Sequence, residues 1–315
     1  MSSSNEFITQ LKSLSCITFS GPQAKEYLQG QVTIDVTKMS NDKARLGAHC
    51  DFKGKAWSVF TAFLSQDVFH LLMHESALEK SLSEFKKYGV FSKVEIEDCG
   101  DNLYFYGISG SEMLASIKTM FTELPEEHLN IVSNDYGLAI CLNISLPRYI
   151  LVLNSSGKEK LEQLISYNKF AEESVWDALN ILDAIPLVTA ETSNEFVPQM
   201  LNLQAIGGID FDKGCYMGQE TIARTKFLGR NKRAAYILSR RDTTTSAEIV
   251  TGMPLEKQAG DNWRSGGTVL QSAELDGKKL ILGVLANDTQ TGDVLRLKEV
   301  PELQFEVSAL PYNID

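Results

Sequence analysis

RLGAHCDFKGKAWSVFTAFL, residues 45 to 64, is two apolar-rich runs joined by a polar stretch with Lys53 and Gly54 at its middle. Alternating apolar positions on either side of such a turn predict an antiparallel pair of strands. DVFHLLM (67 to 73) supplies a third strand. HESALEKSLSEFKKYG (74 to 89) then changes period: Leu78, Leu82 and Phe85 fall at helical spacing, and Gly89 ends the run. Upstream, CITFS (16 to 20) reads as a strand. GPQAKEYLQG (21 to 30) reads as a short helix, with Pro22 at its start and Gly30 beyond its end. VFSKVEIED (90 to 98) is a further strand. Helices over one face of a mainly antiparallel sheet follow from this order, so the fold class is α+β.

The same grammar returns between about 103 and 170. LYFYGIS, SEMLASIKTMF, GLAICLNIS, RYILVLN and GKEKLEQLISYNKF read as strand, helix, two strands and helix. No residue pattern recurs, so this is a second lobe of similar design and not a sequence repeat. EESVWDALNILDAIP (172 to 186) is a helix stopped before Pro186. From about 231 the chain turns to short strands between glycine turns: RAAYILS, GGTVLQSAEL, KKLILGVLA, VLRLK and LQFEVSAL. A small barrel or sandwich is written this way.

The 315 residues suggest two or three compact lobes, and 43% hydrophobic with 23% charged residues is ordinary for a soluble protein. MSSSNEFITQ lacks the basic start and apolar stretch of a secretory leader. The most apolar region (138 to 153) is broken by Asn143, Pro147 and Arg148, against a membrane span. Of the five cysteines, none lie closer in sequence than Cys16 and Cys50. The odd count and wide spacing fit reduced thiols in the cytoplasm, with neither a disulfide framework nor a metal knuckle. A net charge of −11 opposes a surface that coats nucleic acid throughout. Yet ARTKFLGRNKR (223 to 233) carries Arg224, Lys226, Arg230, Lys232 and Arg233 with no acid among them, either a solvated strand or loop or a local anion site.

KGCYMGQE (213 to 220) is the sharpest chemical candidate. Gly214 and Gly218 permit a tight turn, and a helix beginning near Met217 together with Lys213 would favour a thiolate at Cys215. A small cysteine buried in a turn explains the same residues, and the stretch alone leaves both open. Trp176 sits among Val175, Leu179, Ile181 and Leu182 and reads first as a core anchor. His70 and His74 need not share a face, which argues against a metal pair. His49, beside Cys50 and Asp51, cannot form a relay with its immediate strand neighbours. Walker, Rossmann and Gly-x-Ser-x-Gly motifs are missing from the chain.

QGQVTIDV (29 to 36), AHCDFKGKAWS (48 to 58), KKYGVFSKV (86 to 94), FVPQMLNLQAIGGIDFDKGCYMGQETIARTKFLGRNKRA (196 to 234) and NWRSGGTVL (262 to 270) together resemble the YgfZ family. These are folate-binding bacterial relatives of the glycine-cleavage T protein, linked to tRNA modification and to upkeep of iron-sulfur enzymes. The resemblance implies two ferredoxin-like α+β lobes and a small C-terminal β-barrel, three lobes around a central cavity. It implies an N-terminal folate-binding lobe of 1–97 with 171–229, a middle lobe of 98–170 and a barrel of 230–315. A tetrahydrofolate-type cofactor is implied, with Trp176 lining its site and Cys215 as the functional thiol. Lys213, Gly214, Tyr216, Gly218, Gln219 and Glu220 also match the family pattern, whereas Leu14 stands where the family has a second folate-site tryptophan. Related aminomethyltransferases carry an acidic pair where this chain has Trp57 and Ser58. Without an acid to manage the proton on the aminomethyl nitrogen, that transfer loses its chemistry.

The expectation is a cytoplasmic folate-binding protein supporting iron-sulfur and tRNA-thiolating enzymes, whose basic run attracts a polyglutamate tail or a phosphate-bearing partner. A one-carbon transferase and a nonenzymatic RNA-binding module are the rivals, and direct tRNA binding is the less favoured.

Overall fold

The computed structural model describes residues 6–165, 170–229, 231–241 and 247–314. By its contacts the chain groups into two compact units. The first is Met1–Gln29, Asp35–Arg45 and Phe60–Trp176; the second is Gly30–Ile34, Leu46–Val59 and Asp177–Asp315. This grouping is coarser than the three ranges expected from sequence.

The opening stretch forms strands β3 (Arg45–Cys50) and β4 (Ala56–Ser65), and β4 runs from the second unit into the first. Along its sheet β4 is followed by β5 (Val68–His74), β2 (Leu14–Ser20) and β6 (Glu95–Asp98), with β6 at the edge. Helix α1 (Ala24–Gln29) follows β2, and α2 (Glu75–Gly89) follows β5. His74 caps α2, its ring accepting from the Ser76 N–H. The buried line of α2 is Ala77, Ser81, Phe85 and Gly89, with Leu78 and Leu82 on its flank. The expected leucine stripe is thus displaced, and the reason is distance: small residues let the helix sit close, and a Cβ at Gly89 would come within 2.8 Å of Ile96 Cδ1. Phe85 then meets Phe19 of β2 edge-on at 4.9 Å.

The second sheet of the first unit has the order β1 (Phe7–Gln10), β7 (Tyr104–Ser109), β10 (Arg148–Leu153), β9 (Gly137–Leu142) and β8 (Ile131–Asn134), antiparallel throughout. Its edge strand β1 comes from the first ten residues, outside the 98–170 range expected for this lobe. Helices α3 (Ser111–Ile117) and α4 (Ser155–Leu164) belong to the same lobe, and Ile8, Ile108, Ile117, Leu151 and Leu161 share its core.

In the second unit β11 (Arg233–Arg241), β14 (Lys278–Ala286), β13 (Asn262–Leu275), β12 (Pro254–Ala259), β15 (Val294–Leu297) and β16 (Gln304–Ser308) close into a barrel. Both faces of β11 are buried: Ala234, Tyr236 and Leu238 join one core cluster, Ala235 and Ile237 another. That second cluster also holds Ala178 and Ile181 from helix α5 (Ser174–Leu182) and Ile222 from helix α6 (Gln219–Phe227). A barrel wall that is apolar on both sides cannot stand apart from what covers it, so the barrel and residues 177–222 form one unit. Asn202 ties them further. Fully buried at φ +59°, its amide donates to Ala235 O (2.8 Å) and accepts from Ala235 N (3.1 Å). No helix among the described residues is long and apolar enough to cross a membrane.

Trp176 shows how tightly the first unit is packed. A Cβ at Gly107 would lie 2.4 Å from its Cε3. We predict that Gly107→Ala costs roughly 1–3 kcal/mol of stability in urea denaturation, and that adding Trp176→Phe recovers part of the loss.

Candidate functional site

Residues 30–34, though not a regular strand, form the platform of the site. Thr33 N–H donates to Ala48 O (3.0 Å) and Thr33 Oγ1 to Gly208 O (2.6 Å), while Thr33 O receives Asp210 N–H (2.9 Å). The segment is thereby held to β3 on one side and to the 208–217 loop on the other. Lys213 lies buried over this platform, its ammonium donating to Val32 O and Ile34 O, each at 2.7 Å, and 4.9 Å from the centre of the Tyr216 ring. Tyr216 is buried too, and that burial pushes its hydroxyl pKa well up, helped by Cys50 and Asp210. Met217 N–H closes the loop onto Gly30 O (3.1 Å).

Beyond Met217 the backbone turns at Gly218, the N-cap of α6, with φ +81°. A Cβ there would meet Asp51 O at 2.5 Å and Gly54 Cα at 2.7 Å; one at Gly54, φ +77°, would meet Gly218 O at 3.0 Å. The turn between β3 and β4 therefore packs backbone to backbone on the start of α6. Asp51 shapes that turn, its Oδ1 accepting from Lys53 N (2.9 Å) and Lys55 N (2.8 Å). Its carboxylate is occupied with the backbone.

Between these anchors Gly214 and Cys215 face solvent. Cys16, Cys50, Cys99 and Cys141 are all buried. The expected helix start is two residues late: α6 begins at Gln219, and Lys213, expected beside the thiol, has its ammonium on two carbonyls. Gln219 N–H donates to Tyr216 O (3.2 Å), and Glu220 pairs with Arg224 on the exposed face of α6 at 2.7 Å.

Among the described residues, the cations of the basic run do not share one free face. Arg224 is held by Glu220, and Lys226 lies 3.8 Å from the Phe211 ring centre and 5.5 Å from that of Phe227. Lys232 is exposed, and Arg233 lines an open cleft of about 340 Å³ beside Glu191 and Glu195. Arg230 lies outside the described residues.

Trp176 is 3% exposed. The fully buried Arg148 guanidinium lies 4.3 Å from its ring centre, and Phe7 meets it edge-on at 6.4 Å. Leu14, at the start of β2, is half-buried and lines an open cleft of about 460 Å³ with Leu11, Ser15, Leu78, Asp98 and Gly100. Trp57 and Ser58 are both buried in β4, and His49 meets the Trp57 ring at 4.7 Å, edge-on. His70 stacks on Phe63 at 4.6 Å while His74 caps α2. The described residues contain no group of three His, Cys, Asp or Glu placed to hold a metal ion. Sequence reasoning missed Arg148 and the partnership of Gly54 with Gly218. Arg148 appeared only as a charge interrupting an apolar run, and Gly54 only as a turn residue.

The family model "YgfZ, beta-barrel domain" matches residues 231–300. A "tRNA-modifying protein YgfZ" of Aliivibrio fischeri is 38% identical over 309 residues, covering 98% of this chain and 93% of its own. This chain belongs to the YgfZ family. YgfZ proteins of Colwellia psychrerythraea (38% over 312 residues, covering 98% and 94%) and Yersinia pestis (39% over 302 residues, covering 95% and 90%) are similarly close. The aminomethyltransferase T of the Bartonella henselae glycine cleavage system superposes with a TM-score of 0.73 over 98% of this chain and 86% of its own. At 12% identity that likeness is one of fold. The YgfZ fold is thus α+β with a closed six-stranded C-terminal barrel.

Two outcomes are expected. Gly218→Ala should cost roughly 1–3 kcal/mol in urea denaturation, from strain at positive φ and from collision with Asp51 O. Ellman's reagent should titrate one thiol rapidly in the native protein and the buried ones only on unfolding, and Cys215→Ser should abolish the rapid phase.

Proposed function

We propose that this chain is a folate-binding protein acting in tRNA modification by sustaining iron-sulfur-dependent enzymes, with Cys215 as its working thiol. The observation that carries this reading is the presentation of Cys215: an exposed sulfur between a buried lysine and tyrosine on the loop and a backbone-to-backbone glycine contact. Packing alone does not require a thiol at an exposed position. The relatives are tRNA-modifying proteins, and they supply the process.

For the folate, the residues present fit in part. A pterin lying flat on Trp176 does not fit the packing, because the guanidinium of Arg148 lies over the indole and only 3% of the residue reaches solvent. Trp176 therefore serves the folate site as a support behind its wall, and Leu14 offers an aliphatic surface where an indole would have stacked. Lys232 and Arg233, exposed on the barrel side of α6, are the groups available to a glutamate tail or a phosphate. Folate would supply one-carbon chemistry when bound, and the residues here bind and orient. Trp57 and Ser58, both buried where related transferases have acids, support binding over aminomethyl transfer.

The test is made in cells lacking the protein and with purified chain. Cys215→Ala is expected to lower the thiolated tRNA nucleoside several-fold while leaving tetrahydrofolate affinity within about twofold, since it removes a reactive group and little contact area. An unchanged nucleoside level would overturn the role of the thiol. Trp176→Phe should retain folate binding, whereas Trp176→Ala should lose both binding and about 3–5 kcal/mol of stability. Triglutamylated folate should bind more tightly than the monoglutamate, with the difference shrinking as salt rises. Equal affinities at low and high salt would remove the tail from the proposal.

A further inference from the structure

Two buried cysteines far apart in sequence are neighbours in the first unit. Strands β2 and β6 pair antiparallel with Ile17 opposite Asp98, Thr18 opposite Glu97 and Phe19 opposite Ile96. One step further this register sets Cys16 opposite Cys99, and the Cys99 N–H donates to Cys16 O at 2.8 Å. Residues directly opposed across antiparallel strands have Cα atoms roughly 4.5–5.5 Å apart and side chains on one face. Disulfides span Cα separations of about 4.4–6.8 Å. Each thiol lies against the carbonyl of the residue after it, Cys16 Sγ at 3.7 Å from Ile17 O and Cys99 Sγ at 3.6 Å from Gly100 O.

We infer that Cys16 and Cys99 form an oxidisable dithiol, a modification site separate from Cys215, which a hydroperoxide converts to a cross-strand disulfide. The two sulfurs are unequal. Cys16 is fully buried, and burial pushes its thiol pKa well up. Cys99 is 7% exposed and its thiol is held below the usual range, chiefly by the influence of the neighbouring Cys16 thiol and against the opposing effects of burial and of the Asp98 carboxylate. Its neighbours Asp98 and Gly100 line the open cleft of about 460 Å³ that also holds Leu14 and Ser15, so a small oxidant has an approach. Gly100 has nothing within 4 Å of where a Cβ would stand.

In the first step the Cys99 thiolate attacks one peroxide oxygen, the O–O bond breaks, and the departing hydroxide takes a proton to become water. The resulting sulfenic acid is then attacked by the Cys16 sulfur; the S–O bond breaks, an S–S bond forms and a second water leaves with the Cys16 proton. Two thiols and one hydrogen peroxide give one disulfide and two waters, the sulfurs losing two electrons and the peroxide gaining them. A thiol reductant reverses the bond.

The full-length protein is treated with graded hydrogen peroxide, its remaining thiols are alkylated after denaturation, and its peptides are mapped by mass. The expected product is a peptide joining Cys16 to Cys99, the loss of two hydrogens from the intact mass, and recovery of both thiols with dithiothreitol. In the Cys99→Ser chain that loss should disappear. Cys99 driven to sulfinic acid without a link would overturn the inference. So would Cys16 and Cys99 both remaining alkylatable at peroxide that already oxidises Cys215. Neither result requires a variant to fold.

Discussion

The second unit turns on a contact between two glycines. Because neither Gly54 nor Gly218 carries a side chain, the β3–β4 turn and the start of α6 approach until their backbones touch, and both residues adopt positive φ to allow it. The loop preceding α6 is fixed at its far end by the Lys213 ammonium on the carbonyls of Val32 and Ile34. A buried charge with two carbonyl acceptors is far less costly than one left bare, and it holds its partners in place. Cys215 is therefore presented between a buried lysine held on main-chain carbonyls and a close backbone contact of two glycines.

The first unit uses a different device. Arg148 is fully buried in β10 and lies on the indole of Trp176, while Gly107 in β7 leaves the room the indole needs. Planar, weakly hydrated guanidinium suits such a place better than an ammonium would. Among the described residues each unit thus buries a cation, Lys213 on carbonyls and Arg148 on an aromatic face.

Much of this architecture was legible in the sequence because it is written in periodicity. The helix after β5, the pair of strands around Gly54 and the shift to short strands past residue 231 all follow from spacing and punctuation. Strands β1, β8 and β12 were not legible: FITQ and IVSN are four residues each, and PLEKQA opens on a proline and lacks alternation. At the site, the Gly-Cys-Tyr motif stood out, yet the partner of each glycine could not be read, since that depends on which turn the fold delivers to which helix. Cys16 and Cys99 illustrate the same gap. Each lies in or beside a segment that reads as a strand, but pairing register is a tertiary property that no local pattern states. Trp176 was the hardest, because a buried anchor and a ligand platform are written with the same residues, and Arg148 was needed to tell what covers the ring.

The short strand β6 has one more consequence. It closes its sheet on one side with its outer edge unpaired in the strand order, a place where another chain could add itself by main-chain bonding. Of its four residues only Ile96 is buried, while Glu95, Glu97 and Asp98 project into solvent. Three carboxylates on so brief a stretch repel a second copy of the same strand, so this border is protected from self-association by like charge, whereas the barrel achieves the same end by having no border at all.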